Sequence, residues 1–256
     1  MTRHTRYCSC FCLILLAACS PRHTINPRLA NEMPRKIVWA WERPEDLSFL
    51  DANEYGVAFL AQTIFLEQDR VTPNCRRQQL ELPKDAYVIA VTRIETNKEM
   101  GKRPSMSTEM AQKVIALIRG TLDMPEVRAL QIDFDAVSSE RHFYKVLVTE
   151  LRKQMPASMP LTMTSLASWC IGDAWFNDFD VDEAVPMAFR MGADEDKVRA
   201  FLRNGNDWRE PLCRGSYGIS IDDPHVEGLK PVRRMYFFSN NPWTPSDRGR
   251  LARESQ

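Results

Sequence analysis

The chain has 256 residues with 34 basic and 34 acidic side chains, 44% hydrophobic residues, 16 Pro and 10 Gly. That composition belongs to a folded globular protein and excludes disordered and collagen-like architectures. A balanced charge, with no run of Lys and Arg interleaved with aromatic residues, argues against nucleic acid as a partner.

Arg3, His4 and Arg6 precede an apolar run from Phe11 to Ala18 that is too short to span a bilayer, which predicts a secretory signal over residues 1 to 18. Leu16-Ala17-Ala18-Cys19 resembles the bacterial lipobox, in which the Cys thiol is acylated and becomes the new N-terminus. Ser20 stands where Asp would favour inner-membrane retention, so the resemblance implies an outer-membrane lipoprotein, anchored through Cys19, with its domain on the periplasmic face. Loss of Arg3 and Arg6 leaves a nearly neutral mature chain, so lipid rather than a basic patch is the expected membrane contact. Pro21, Pro27 and Pro34 among polar residues mark 19 to 35 as a tether, and a single domain is expected over 36 to 256. Export leaves Cys75, Cys170 and Cys213 in an oxidising compartment, with all three pairings open. The four His and the Cys show no zinc-ligand spacing, and neither a metal nor a cofactor is expected.

Eight short apolar strands are predicted, over 37–41, 56–66, 87–94, 127–134, 161–167, 184–190, 217–221 and 235–238. Between them an amphipathic helix after Ser107 carries Met110, Val114, Leu117 and Ile118 on one stripe and ends at Gly120. A second, after Ser139, faces inward with Tyr144, Val148 and Leu151 and stops before Pro156, and a third runs from Asp194 with Val198, Phe201 and Leu202. Apolar strands alternating with helices indicate a parallel sheet covered outside, and eight units indicate a (β/α)8 TIM barrel. The second and last connections are poor in helical pattern, which predicts an irregular barrel. The alternative, a doubly wound open sheet, lacks the Gly-x-Gly-x-x-Gly turn after its first strand, where Trp41-Glu42-Arg43-Pro44 stands.

In such a barrel the working residues lie where strands end. That rule selects Trp41 and Glu42, Arg93 and Glu95, Asp133 and Asp135, Ser168 and Trp169, Arg190, Asp222 and Asp223, and Asn240, Asn241 and Trp243. The sharpest feature is Gln131-Ile132-Asp133-Phe134-Asp135, because period two turns both carboxylates to the barrel axis while Ile132 and Phe134 face the helices. Two desolvated carboxylates raise each other's pKa, so one keeps a proton while the other ionises, as glycosidic cleavage requires. The competing reading makes Asp133 a buried acceptor bracing neighbouring strands, with only Asp135 reaching solvent. Asp182 and Glu183 open the sixth strand and belong to the opposite, stability face. No Gly-x-Ser-x-Gly elbow supports a serine hydrolase.

Trp39-Ala40-Trp41-Glu42, Gln131 to Ala136, Leu166-Ala167-Ser168-Trp169-Cys170 and the Asp182 to Gly192 stretch resemble the bacterial domain-of-unknown-function family 3142. The resemblance covers nearly the whole predicted domain and implies a barrel in the bacterial envelope without naming a reaction. More distantly, strand four is similar to the Asp-x-x-Asp-x-Asp-x-Glu signature of family-eighteen chitinases, in which the final Glu is the acid. Asp133 and Asp135 match its last two Asp, but Leu130 replaces the first and Val137 replaces the acid. A valine has no proton to give, so the chitinase mechanism does not transfer intact.

Replacement acids are sought in Glu42, Glu95, Asp222 and Asp223, each with a surface or helix-terminal charge as its alternative. Sugar rings stack on indoles, which makes Trp41, Trp169 and Trp243 candidate platforms, while Trp39 inside the first strand reads as core. Arg93, Arg190 and Asn240 are candidate substrate contacts; for Arg190 the alternative is a salt bridge to Asp133 or Asp135. Family resemblance points to a Cys170 to Cys213 disulfide, whereas barrel geometry places the two on opposite rims, so the pairing stays open. The expectation is a glycoside-hydrolase-like lipoprotein acting on a polysaccharide or oligosaccharide. Its rival is a non-catalytic glycan-binding or envelope-assembly lipoprotein.

Overall fold

The computed structural model describes residues 29, 33–173 and 175–254, so the predicted signal, Cys19 and most of the tether lie outside the described residues. The strands are β1 (Lys36–Ala40), β2 (Glu45–Asp46), β3 (Tyr55–Glu67), β4 (Arg70–Cys75), β5 (Leu80–Glu81), β6 (Tyr87–Thr96), β7 (Val127–Asp133), β8 (Leu161–Leu166), β9 (Glu183–Met187), β10 (Ser216–Ser220) and β11 (Arg234–Phe238). Eight of them form one parallel sheet in the order β1-β11-β10-β9-β8-β7-β6-β3. Pairing of Ile37 with both Tyr236 on β11 and Gly56 on β3 closes it. The molecule is therefore a (β/α)8 barrel, and each predicted strand is present within three residues of its expected ends.

Helices α1 (Thr108–Gly120), α2 (Arg141–Lys153), α3 (Ala167–Gly172), α4 (Glu195–Arg203) and α5 (Arg248–Arg253) follow β6, β7, β8, β9 and β11. Ser107 caps α1 by accepting from the Met110 amide, which fixes where the chain leaves the loop. Among the described residues no α-helix follows β1, β3 or β10. After β3 the chain instead folds back as β4, antiparallel to the C-terminal half of β3, and β2 pairs with β5.

Period two divides the barrel side chains into two layers. Ile37, Trp39, Leu60, Ile89, Tyr236 and Phe238 fill the interior. Val38, Val57, Val88, Ile132, Met163 and Phe237 face outward onto Val114, Ile118, Leu147 and Leu151 of the helices. On β10 the interior is so tight that a Cβ at Gly218 would lie 3.2 Å from the Phe238 ring and 3.4 Å from the Pro186 carbonyl oxygen. Gln131 forms a polar rung, accepting from Trp39 Nε1 at 2.8 Å and donating to Thr162 Oγ1 at 3.1 Å. Asp133, two residues on, stands above that rung at the C-terminal rim. Leu29 and Met33, within the stretch expected to be tether, are buried in the interior layer and plug the opposite end.

Cys170 and Cys213 form a disulfide, which resolves the open pairing and leaves Cys75 as an exposed free thiol. The argument from opposite rims fails because the segment before β10 climbs the wall: the amides of Arg209 and Glu210 donate to the Cys170 carbonyl at 2.9 and 3.2 Å. The crosslink spans 43 residues. A C170A/C213A double variant is expected to lose about 2–4 kcal/mol in urea unfolding relative to the oxidised parent.

Candidate functional site

At the C-terminal rim, Asp133 is buried between two strands: Thr164 Oγ1 on β8 donates to Oδ1 at 2.7 Å, and Arg93 Nη1 on β6 reaches Oδ2 at 3.2 Å. Arg93 also donates through Nε to Glu95 at 2.9 Å. Asp135 lies past the end of β7, exposed at its tip but crowded by the walls around it. Burial pushes the Asp133 carboxyl above the usual range, opposed by Arg93 and the Thr164 bond and reinforced by the Asp135 charge. Burial likewise raises Asp135, against the pull of Arg93 and Lys98. For Arg93, burial works against the charge, and Asp133, Glu95 and Asp135 together outweigh it.

Two depressions meet at this cluster. The first, about 240 Å³, has Trp41, Phe189, Ser168, Arg190 and Asp194 on its walls and Trp39 and Phe238 beneath. The second, about 260 Å³, includes Phe65, Glu95, Thr96 and Lys98. Arg93, Asp133 and Asp135 belong to both, forming the ridge between them. Trp41 is half-buried, its ring 4.4 Å from Trp39 at 65°, with the Arg93 guanidinium 6.0 Å from its centroid. Phe189 rests on Phe238 at 4.7 Å. The cleft thus offers half-buried aromatic faces beside carboxylates and cations, the mixture that holds a polar ring by stacking and hydrogen bonding.

Several expected members stand elsewhere. Trp169 is buried, because the chain enters α3 directly after β8 and the indole packs edge-on against Trp175 at 4.9 Å. Trp243 is buried too, donating its Nε1 to the Trp39 carbonyl at 2.9 Å and its amide to Glu45 at 2.9 Å. Both expected platforms are corrected to packing residues. Glu42 turns away from Trp41 in the bend after β1 and accepts from the amides of Arg77 and Gln78 at 2.9 and 3.3 Å, with Arg76 3.8 Å away. Asp222 accepts from Ser239 Oγ and the Asn240 amide and pairs with Arg250 at 3.3 Å, so it and Asn240 pin the loop after β11 outside the cleft. Asp223 also lies off both depressions. Arg190 makes no ion pair among the described residues; Arg93 holds the partnership with Asp133 that was the alternative for Arg190. Asp182 and Glu183 lie at the far end, as strand polarity requires.

From the sequence Asp194 is expected only as a helix start. It lies in the turn between β9 and α4, lines the first depression, and makes no side-chain capping bond. Phe189 and Phe65 were also missed, because each sits in a run read as uniform strand. Val137, at the position of the chitinase acid, is 45% exposed, and its amide donates at 2.9 Å to the buried Glu140, which pairs with Lys98. No group of three or more His, Cys, Asp or Glu gathers in metal-holding geometry among the described residues.

Arg93→Gln tests the cluster without touching the apolar core. Asp133 has its pKa raised in the folded state, so its ionisation costs stability progressively as pH rises above the unfolded value of 3.8. Arg93 offsets that cost. The variant is therefore expected to match the parent below pH 3.8 and to fall behind by roughly 1–3 kcal/mol at neutral pH, a range reduced from that of a fully buried pair because Arg93 is 32% exposed. Urea midpoints across pH would check it.

The fold and the cleft define the class: a (β/α)8 barrel with an acidic, aromatic-lined site at its C-terminal rim. In structure the chain is similar to a family GH18 chitinase from Chromobacterium violaceum, at a TM-score of 0.50 and 11% identity, over 86% of this chain and 81% of the chitinase. No protein-family model matches the sequence, and no curated protein does.

Proposed function

We propose that the barrel is a glycoside hydrolase-like domain that holds a polysaccharide across the two depressions and cleaves it at the Asp135 ridge. The observation that carries this is a pair of carboxyls from separate elements, Asp135 after β7 and Asp194 before α4, lining one depression whose other walls are Trp41 and Phe189. Burial favours a proton on Asp135, which suits it to protonate the glycosidic oxygen as the bond to the anomeric carbon breaks. Asp194 then either takes the proton of an attacking water or attacks the anomeric carbon itself. Separations of ~6.5–9.5 Å and ~5–5.5 Å respectively distinguish those routes, and the anomer released reports which operates. Asp133 acts through Asp135, with Arg93 and Thr164 fixing its orientation. The chitinase-like barrel supports a polysaccharide as the substrate class. Membership of family 3142, lipid attachment at Cys19 and an outer-membrane, periplasm-facing location belong to the same proposal, carried by the segments and lipobox noted above.

A second reading, glycan binding without cleavage, is favoured by Val137 in place of the chitinase acid. Reducing-end release from a panel of envelope and secreted polysaccharides, by the chain from Ser20 onward, separates the two. Release supports the hydrolase, and retained binding without release supports the binding protein.

A further inference from the structure

On the opposite face, at the N-terminal ends of β9, β10 and β11, a cavity of about 670 Å³ opens, larger than either half of the cleft. That volume lies within the range of small-molecule sites, whereas this end of a barrel ordinarily serves stability. Among the described residues the walls contain three carboxylates, and each is already matched: Glu183 with Arg234, Asp207 with Arg233 at 2.6 Å, and Asp182 with Arg152 at 2.7 Å. Three further cations line the cavity, and among the described residues none of them has a carboxylate in ion-pair contact: Arg35, Arg214 and Lys230. Arg214 donates to the carbonyls of Trp208 and Arg209, and Lys230 to that of Gly205 at 2.6 Å, so neutral acceptors orient two of the charges without cancelling them. Asp207 and Glu210 feel the Arg214 charge but bond elsewhere.

The turn that carries Lys230 is built rather than loose. Tyr217 Oη accepts from the Lys230 amide at 3.0 Å and from Arg233 Nη1 at 2.8 Å, fixing both ends of the Lys230 to Arg233 turn. Between them Val232, a β-branched residue, is held at φ +66° with its side chain 74% exposed, a costly conformation that packing of Val232 itself does not repay. Val232, Leu212 and Leu29 add apolar side chains to the same lining.

We infer that this cavity binds a phosphate-bearing ligand, with Arg35, Arg214 and Lys230 on the phosphate and the apolar side chains against the remainder of the molecule. Three cations with one shared opening fit a dianion with several acceptor oxygens better than a single carboxylate. The phosphate has two sources, a phospholipid headgroup or a soluble ester, and both present the same chemistry to the three cations.

The test uses the chain from Ser20 onward, which retains every described residue. Inorganic phosphate and glycerol phosphate are titrated by calorimetry, and vesicles of phosphatidylglycerol are compared with vesicles of phosphatidylcholine by co-sedimentation. Binding of the parent in either arm is expected, weakened at least about tenfold in an R35Q/R214Q/K230Q variant. R35Q alone, which breaks no described side-chain bond, guards against a folding defect and is expected to weaken binding in the same arm. Response only to the anionic vesicles assigns a headgroup; response to the soluble phosphates assigns an ester. No binding by the parent in either arm, or equal binding by the triple variant, overturns the inference. The cavity and the cleft share no residue, so this outcome is independent of glycan turnover.

Discussion

Asp135→Asn lowers reducing-end release at least about 100-fold, the lower end of what a positioned acid contributes. The substitution is nearly isosteric and falls on an exposed side chain beyond the strand end, so thermal unfolding stays close to the parent's and the loss is one of chemistry. Asp194→Asn is expected to cost a comparable factor, because it removes the partner carboxyl while breaking no side-chain capping bond of α4. Asp133→Asn behaves differently. Its carboxyl keeps the Thr164 contact through an amide oxygen but no longer pairs with Arg93, so Arg93 is freed to draw closer to Asp135 and hold it ionised. The expected signature is a shift of the pH–rate profile to lower pH with a smaller loss in kcat. If Asp135→Asn retains more than about a tenth of parental release, acid catalysis by Asp135 is wrong, since even modest general-acid roles exceed that factor. Oligosaccharide affinity, measured alongside, is expected to survive because Trp41, Phe189 and Arg190 supply contacts that Asp135 does not.

The same residues show how far the sequence could be read. Strand existence was legible because β1, β3, β6 and β11 carry apolar side chains on both faces, and only a sheet buried inside and outside demands that. Asp133 and Asp135 were legible as inward-facing because period two admits no other choice once Ile132 and Phe134 belong to the helix layer. The strand-end rule then overreached. It assigns a residue to the rim by its distance along the strand, whereas Trp169 lies within the first turn of α3 and Trp243 folds back over Trp39, and both choices are made by packing across distant segments. Glu42 and Asp222 illustrate the electrostatic counterpart: each satisfies backbone amides of a long connection, partners that no spacing announces. Asp194 escaped because an Asp before a helix has a sufficient local explanation, and only the turn after β9, with Arg190 at φ +47°, carries it to the cleft. The geometric objection to the Cys170–Cys213 pair, which the resemblance had favoured, failed for the opposite reason, since an ideal barrel has no place for a segment that climbs its wall.

Glu183→Leu is expected to destabilise the barrel by about 3–5 kcal/mol, more than loss of the disulfide or of the Arg93 pair. Glu183 opens β9 and is paired with Arg234 at the start of β11, with β10 between them, so the ion pair spans three strands at the N-terminal end of the barrel. The side chains are only 1% and 9% exposed, although both border the cavity on this face, so the charges face each other largely out of solvent. Room for the carboxylate comes from Gly215, where a Cβ would stand 3.1 Å from Glu183 Oε2. Arg234 extends the link by donating Nε to the Pro34 carbonyl at 2.9 Å, which ties the entering chain and its buried Met33 to the barrel. Removing the carboxylate leaves a buried guanidinium with carbonyls alone, and removing the guanidinium by Arg234→Met leaves a buried carboxylate, so both single variants suffer. The double variant E183L/R234M strands neither charge and is expected to recover most of the loss, a coupling of several kcal/mol in the urea-unfolding cycle. Exposed pairs such as Lys153 with Glu150 give the contrast: separation from water, more than the contact itself, makes breaking Glu183 from Arg234 costly, and E150Q is expected to shift stability by less than about 1 kcal/mol.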